Sequence, residues 1–344
     1  MPERLPRVVS LGRAVPEVAY TQAQLYAHNP WEPTPLTDRL FLDSPIRTRQ
    51  LFVPPAFHLG GRTLADANGA WREGAMLLSG AALDDALQLA GRAPEEIDVI
   101  GVTTVTGYTT PGLDVLLAVE HGLRRDVQRL HFNNVGCHAA VPLLRSVADH
   151  VARRPGSIGV SIAVEVCSAC FAFDRDPQNL VAASLFGDGA AALVVSTEGD
   201  GPALVDFASG FDFAHVALLG FELGDQGFRI VLDPAVPDRV GAEVGDVVRG
   251  LLARHGLRVE QIGRWALHPG GSRILDAAQR ALGLSDDAMA PSRSVLEHHG
   301  NMSSPSVVFA LAEALAERPL EPGEHLVMAA FGPGLGIEVA LLRG

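Results

Sequence analysis

The stretch His131-Phe-Asn-Asn-Val-Gly-Cys-His-Ala-Ala-Val-Pro-Leu-Leu-Arg-Ser-Val-Ala-Asp-His150 sets a glycine and a cysteine directly before an amphipathic pattern. Val141, Leu144, Val147, Ala148 and Val151 recur at helical spacing and predict a helix. Pro142 fits such a helix only near its start, where a missing N–H is harmless. Cys137 is therefore expected at or just before a helix N-terminus. Unpaired N–H groups and the helix dipole favour an anion there. A thiol in that place is expected to ionise more easily, and the thiolate is the nucleophile. The competing reading is a buried, inert cysteine, the commoner fate of a lone Cys.

Working outward, Gln128 to Asn133 reads as a short strand leading into this turn. Ser157-Ile-Gly-Val-Ser-Ile-Ala-Val-Glu-Val166 is a nearly continuous apolar strand of the kind covered on both faces. Upstream, residues 65–92 predict a long helix with a stripe of Ala70, Ala75, Leu78, Ala81, Leu83 and Ala86. Ile97 to Thr104 is a strand, Tyr108-Thr-Thr-Pro-Gly112 a turn, and Leu113 to about Leu123 a helix. Residues 1–50 mix a short strand at Arg7–Leu11 with polar helix and loop. Arg39, Arg47 and Arg49 there could receive phosphates or form a solvated basic face. Downstream, Cys167-Ser-Ala-Cys170 and a polar loop precede Leu185-Phe-Gly-Asp-Gly-Ala-Ala-Ala-Leu-Val-Val195, a glycine turn feeding a strand.

The second part of the chain repeats this order. Val240 to His255 is helical, Gly263 to His268 is a strand ending in His-Pro-Gly-Gly, and Arg273 to Leu282 is helical. His299-Gly-Asn-Met-Ser-Ser is a glycine turn before another amphipathic helix. Leu326 to Ala330 is a strand, and Phe331-Gly-Pro-Gly-Leu-Gly feeds the last one. Gly136-Cys137 thus matches Gly300-Asn301, and Phe186-Gly-Asp-Gly matches Phe331-Gly-Pro-Gly. The offsets, 164 residues from Cys137 to Asn301 and 145 from Phe186 to Phe331, suit a diverged duplication with unequal loops. Alternating strands and helices predict an α/β fold of two halves, residues 1–200 and 201–344.

Composition bounds the rest. The 344 residues suggest about two domains. With 47% hydrophobic and 19% charged residues, a sizeable core is expected. A formal net charge of −13 argues against a nucleic-acid or anionic-membrane surface. Three cysteines, at 137, 167 and 170, make no disulfide framework and fit a reducing compartment. Met1-Pro-Glu-Arg-Leu-Pro has no apolar signal core. Ile158 to Phe173, broken by Glu165, is too short to span a bilayer. A cytoplasmic protein is expected.

Five segments together resemble the type III polyketide synthases, the chalcone-synthase-like branch of the thiolase fold. They are Gly136-Cys137, Leu185-Phe-Gly-Asp-Gly-Ala-Ala-Ala-Leu, Trp265-Ala-Leu-His-Pro-Gly-Gly, Gly300-Asn-Met-Ser-Ser and Phe331-Gly-Pro-Gly-Leu, in the family's order and spacing. The resemblance implies mixed sheets layered between helices and a catalytic triad of Cys137, His268 and Asn301. Cys137 would carry the acyl group taken from an acyl-CoA starter. His268 and Asn301 would stabilise the enolate that malonyl-CoA leaves on losing carbon dioxide. By their residue types alone, His268 could equally be a satisfied core histidine and Asn301 a helix N-cap.

The resemblance further implies that Phe186 gates the pocket, that Gly332, Pro333 and Gly334 shape its wall, and that Ser303 contacts substrate. Thr110 would reach across a homodimer interface, for which the apolar strand Ser157–Val166 is a second candidate. The CoA phosphates fall to Arg39, Arg47 and Arg273, because Asp43 stands where many plant members have Lys. Ile230 replaces a second aromatic gate, and Phe221 falls near a position that is Gly in chalcone synthases. His138 stands where plant enzymes have Phe. Cys167 and Cys170 are read either as buried small residues or, for Cys170, as lining the cavity; a zinc site lacks a second ligand pair. No metal or redox cofactor is implied, the substrates being CoA thioesters. The alternatives are a 3-oxoacyl-[acyl-carrier-protein] synthase III, whose His-Gln-Ala-Asn-type motif is His-Pro-Gly-Gly here, and a non-enzymatic CoA- or lipid-binding protein.

Overall fold

A computed structural model of the chain describes residues 5–30, 32–316 and 318–344. Its strands are β1 (Arg7–Ala14), β2 (Ala19–Thr21), β3 (Thr48–Gln50), β4 (Ile97–Thr104), β5 (Gln128–Asn133), β6 (Ile158–Val166), β7 (Asp188–Ser196), β8 (Ala203–Phe211), β9 (Leu219–Gly224), β10 (Gly227–Leu232), β11 (Arg264–Leu267), β12 (His325–Gly332) and β13 (Gly336–Arg343). Nine of them form one sheet in the order β11-β12-β13-β8-β1-β7-β6-β4-β5.

That order is two similar runs joined back to back. In the first, β6 lies parallel to β4 and antiparallel to β7, which is antiparallel to β1. In the second, β12 lies parallel to β11 and antiparallel to β13, which is antiparallel to β8. The runs meet where β1 touches β8 through one residue pair, Arg7 and Ala203. Only β5 has no counterpart.

Strict alternation along the strands sorts the core into layers. On β7, Ala191, Leu193 and Val195 join the same cluster as Leu326, Met328 and Ala330 of β12. Between them lie helix Ala140–Arg153 and helix Ser306–Ala316, packed as a central pair. The other faces are covered by outer helices: Leu64–Ala90 and Leu113–Glu120 on the first run, Val236–Arg254 and Ser272–Leu282 on the second. Helix Ser306–Ala316 is apolar nearly all round, whereas helix Ala140–Arg153 keeps an exposed edge at Arg145, Asp149 and Arg153.

The structure corrects the sequence reading in several places. The segment read as a polar loop after Cys170 instead holds helix Pro177–Leu185. Helix Asp286–His299 was not foreseen, because Pro291 lies inside it and few of its residues are apolar. The β9–β10 hairpin was also missed. Strand Ser157–Val166 is no interface: β6 is interior to the sheet and every residue of it is buried. The free edges belong to β5 and β11.

Candidate active site

Cys137 sits three residues before helix Ala140–Arg153, after a glycine turn in which Gly136 has φ +94°. Its side chain is buried, 7% exposed. Ser303 Oγ donates to Cys137 Sγ at 3.4 Å. Ser303 itself adopts φ +60°, and its N–H donates to Asn301 Oδ1 at 2.7 Å. The amide of Asn301 spans onward, Nδ2 donating to the Gly270 carbonyl at 3.4 Å. Gly270 N–H in turn donates to the His268 carbonyl at 2.9 Å. His268 stands just past the end of β11, its N–H held by Ala329 O at 2.8 Å, with ring Nδ1 buried and unpartnered. Cys137, Ser303, Asn301 and His268 thus come together from both runs of the sheet. Asn301 is not an N-cap, since its helix begins five residues later at Ser306.

A carboxylate that the sequence reading passed over lies behind them. Glu165 is fully buried on the face of β6 turned to the central helices. Its Oε2 accepts from Val105 N at 2.9 Å, Thr106 N at 3.1 Å and Thr106 Oγ1 at 2.8 Å. Its Oε1 accepts from Ser304 Oγ at 2.6 Å and Ser303 Oγ at 3.5 Å. Burial pushes its carboxyl up to about 7 against the pull of these bonds. The signal was in the sequence: one charge in the middle of a doubly buried strand.

The same burial corrects the expectation of an easily ionised thiol. Burial pushes Cys137 up to about 12; the Ser303 hydrogen bond opposes this and Glu165 adds to it. Desolvation outweighs a helix start, whose effect fades within a turn. Burial also takes His268 down to about 3, with His138 adding to the shift. At pH 7 the pair is then a neutral thiol and a neutral imidazole.

Phe186 forms a backbone bridge with Asn301: Asn301 N donates to Leu185 O at 2.9 Å and Gly187 N to Asn301 O at 3.0 Å. Its ring stacks on Phe171 with centroids 4.6 Å apart, and Phe171 meets Phe221 at 5.3 Å. Cys170, Phe186 and Ile230 share a buried cluster with Cys167 and Phe171, and Phe221 pairs directly across the hairpin with Ile230. Phe171 had not been singled out from sequence. Beside this cluster lies a cavity of about 550 Å³ lined by Thr106, Tyr108, Asn134, Cys170, Leu223 and Phe228, among others. A smaller one, about 70 Å³, is lined by Phe41, Arg49, Phe171 and Phe186.

Arg49 is no phosphate receiver. It is buried, its guanidinium donating to Phe186 O at 2.6 Å and to Gln22 Oε1 at 2.9 Å. Arg39, Arg47 and Arg273 lie at the surface, Arg47 paired with Glu297 at 2.6 Å and Arg273 donating to Pro234 O at 3.3 Å. Thr110 is on an exposed turn, its hydroxyl bonded to Tyr108 Oη at 2.9 Å. Pro333 lies against Gly136, next to Cys137.

Comparison with known proteins agrees with this geometry. Residues 63–199 match the N-terminal domain of chalcone and stilbene synthases, and residues 214–344 match the C-terminal domain. The chain is 36% identical to a 1,3,6,8-tetrahydroxynaphthalene synthase of Streptomyces peucetius, over 99% of this chain and 94% of that protein. It is 35% identical to a 3,5-dihydroxyphenylacetyl-CoA synthase of Amycolatopsis orientalis, over 98% and 94%. It superposes on the crystal structure of the 1,3,6,8-tetrahydroxynaphthalene synthase of Streptomyces coelicolor with a TM-score of 0.92 at 27% identity, covering 98% and 99% of the two chains. The chain therefore belongs to the chalcone and stilbene synthase family, and it is a type III polyketide synthase of the thiolase fold.

Proposed function

We propose that Cys137, His268 and Asn301 carry out decarboxylating condensation of CoA thioesters in this chain. Cys137 Sγ attacks the thioester carbonyl of an acyl-CoA starter, and CoA leaves as its thiol with the proton Cys137 gives up. Malonyl-CoA then loses carbon dioxide. The electrons left behind form an enolate whose oxygen accepts hydrogen bonds from Asn301 Nδ2 and from the His268 ring. The enolate carbon attacks the acyl-Cys137 carbonyl, the C–S bond breaks to release the Cys137 thiolate, and the chain, now a CoA thioester, is two carbons longer. The observation that carries this reading is the run of contacts from Cys137 through Ser303 and Asn301 to the Gly270–His268 turn.

A neutral His268 suits the donor role, since a neutral ring carries one N–H. Cys137 gives up its proton as it attacks, and that proton leaves on the CoA sulfur. Repeated condensation and cyclisation give a small pyrone- or phenol-type product, in keeping with the naphthalene, dihydroxyphenylacetyl-CoA and alpha-pyrone products named for its relatives. Phe186, Cys170, Phe221, Ile230, Ser303 and the Gly332–Gly334 turn bound the growing chain. Arg39, Arg47 and Arg273 meet the CoA phosphates. No metal or redox cofactor takes part.

Within the same reading, the chain divides near residue 200, where the sheet runs meet, and works as a cytoplasmic homodimer with Thr110 at the interface. No helix among the described residues is long and apolar enough to cross a membrane. Purified protein given malonyl-CoA and a panel of acyl-CoA starters is expected to release carbon dioxide and products two carbons longer per turn, read by mass spectrometry. Decarboxylation and condensation both absent across the panel would overturn the reading.

A further inference from the structure

His138 follows the nucleophile, yet no step above uses it. Its side chain is buried, 3% exposed, and ring Nδ1 has no hydrogen-bond partner. The ring meets the backbone of the β12–β13 connection on two sides. A methyl group on Gly332 would overlap the ring, with Cγ and Cε1 at 2.9 Å and Nδ1 nearer still. One on Gly336 would lie 2.9 Å from Nε2. Real side-chain carbons do not approach so closely, so the ring fills a notch that exists only because both residues are glycine. The Phe211 ring closes the notch edge-on, with centroids 6.3 Å apart at 72°.

The opposite contact has the same form. Gly136 also lacks a side chain, and the Pro333 ring occupies the place: its Cδ and Cγ lie 2.5 and 2.6 Å from where a β-carbon would stand. Each segment therefore presents a ring to a glycine notch on the other. Cys137 lies between the two contacts in sequence, with Gly136 on one side and His138 on the other.

We propose that this reciprocal lock, His138 in the Gly332/Gly336 notch and Pro333 against Gly136, sets the distance between the nucleophile and the cavity wall and so helps decide which products form. His138 is then a positioning residue. It acts by the shape of a flat ring and not by proton transfer; burial takes its pKa down to about 4, so the ring is neutral at pH 7. Phenylalanine has a similar flat ring and can fill the notch. The proposal rests on the condensing function above, because it concerns where the acyl chain on Cys137 meets the wall.

Gly332 offers the sharp test. Its φ is −163°, ordinary extended backbone, so alanine there is opposed by the His138 ring and not by its own conformation. Gly332→Ala is expected to lower condensation by about 10²-fold, the scale of a 1 Å misplacement at a reacting centre. Adding His138→Ala should restore much of that loss, although His138→Ala alone is harmful. His138→Ala alone should lower the ratio of condensation to decarboxylation and change the product distribution, while His138→Phe should keep the wild-type distribution.

The same cycle read by thermal unfolding needs no substrate. It should show Gly332→Ala destabilising in the wild-type chain and less so beside His138→Ala. Independent, additive effects of the two substitutions would overturn the lock. A product distribution unmoved by His138→Ala would overturn its role in product choice. His138→Phe behaving like His138→Ala would replace shape with imidazole chemistry. If wild-type protein makes no polyketide, the unfolding cycle still reports on the lock, so the two failures are distinguishable.

Discussion

The two runs of the sheet share one topology but treat their active-site turns differently. Each sends a glycine turn into a central helix: Gly136-Cys137 in the first, Gly300-Asn301 in the second. In each, the connection between two neighbouring antiparallel strands reaches across to the other's turn. The β6–β7 connection brings Phe186 and Gly187 onto Asn301; the β12–β13 connection brings Gly332 and Pro333 onto Gly136 and His138. The difference is in length. The second connection is a tight turn at Pro333–Leu335, with Gly332 paired to Gly336. The first, residues 167–187, carries Cys170, Phe171, helix Pro177–Leu185 and Phe186. A symmetric frame sets two helix starts face to face. One turn carries Cys137 and the other Asn301, and only the first run's connection is lengthened.

If the division of labour between the turns is right, replacing each functional residue should fail in a different way. The largest effect is expected from Cys137→Ala: condensation falls below detection while some malonyl-CoA decarboxylation survives, because enolate stabilisation lies on the other turn. Mass spectrometry for products beside carbon dioxide release separates the two, and undiminished polyketide from this variant would break the comparison. Asn301→Asp should instead slow decarboxylation itself by about 10²–10³-fold, the cost typical of removing one oxyanion donor. Unchanged decarboxylation would take Asn301 out of the mechanism.

The third expectation concerns Glu165, which exists on one side only; the corresponding strand β12 has no buried charge. A folded-state value of about 7 against an ordinary 4.5 means the folded chain holds this proton where the unfolded chain has released it. Stability contributed by that proton is therefore present below pH 4.5 and lost as pH rises through about 7. At 1.36 kcal/mol per unit, the loss is about 3 kcal/mol. Thermal unfolding from pH 4 to 8 should show Glu165→Gln gaining on wild type as pH rises. Asp188, also raised by burial, is common to both proteins and cancels. A gap between the proteins that does not change with pH would show that the carboxyl does not titrate in this window.

The smallest effect should come from the long connection's neighbour, the hairpin. Phe221 braces Phe171, which stacks on Phe186. Phe221→Gly should loosen that wall and shift the product mixture several-fold towards longer chains or bulkier starters, with little change in decarboxylation. An unchanged distribution would show that the brace does not bound the growing chain.

Residues legible in the sequence were those with a local reason for their place. The helix after Cys137, the doubly buried β6, the glycine turns and the repeat between halves follow from periodicity and from residues that allow special backbone conformations. Helix Asp286–His299 and the β9–β10 hairpin were not legible, because a proline and a weak apolar pattern gave no period to read. Arg49 was misread for another reason. Arginine at sequence level signals a surface, and only the fold supplies the Phe186 carbonyl and Gln22 that let it be buried.

The sequence by itself determined most of the order of elements and the repeat between the two halves, and through its family resemblance it singled out Cys137, His268 and Asn301 as candidates. The elements and the repeat are local patterns and spacings, which a linear chain carries; the candidates rest on motifs shared with the family. The tertiary structure alone decided the ionisation state of the thiol, the presence of Glu165 behind it, the fit of His138 into two glycine notches and the interior place of β6. Each depends on desolvation or on contact between residues far apart in the chain, and neither burial nor distance is written in the order of residues.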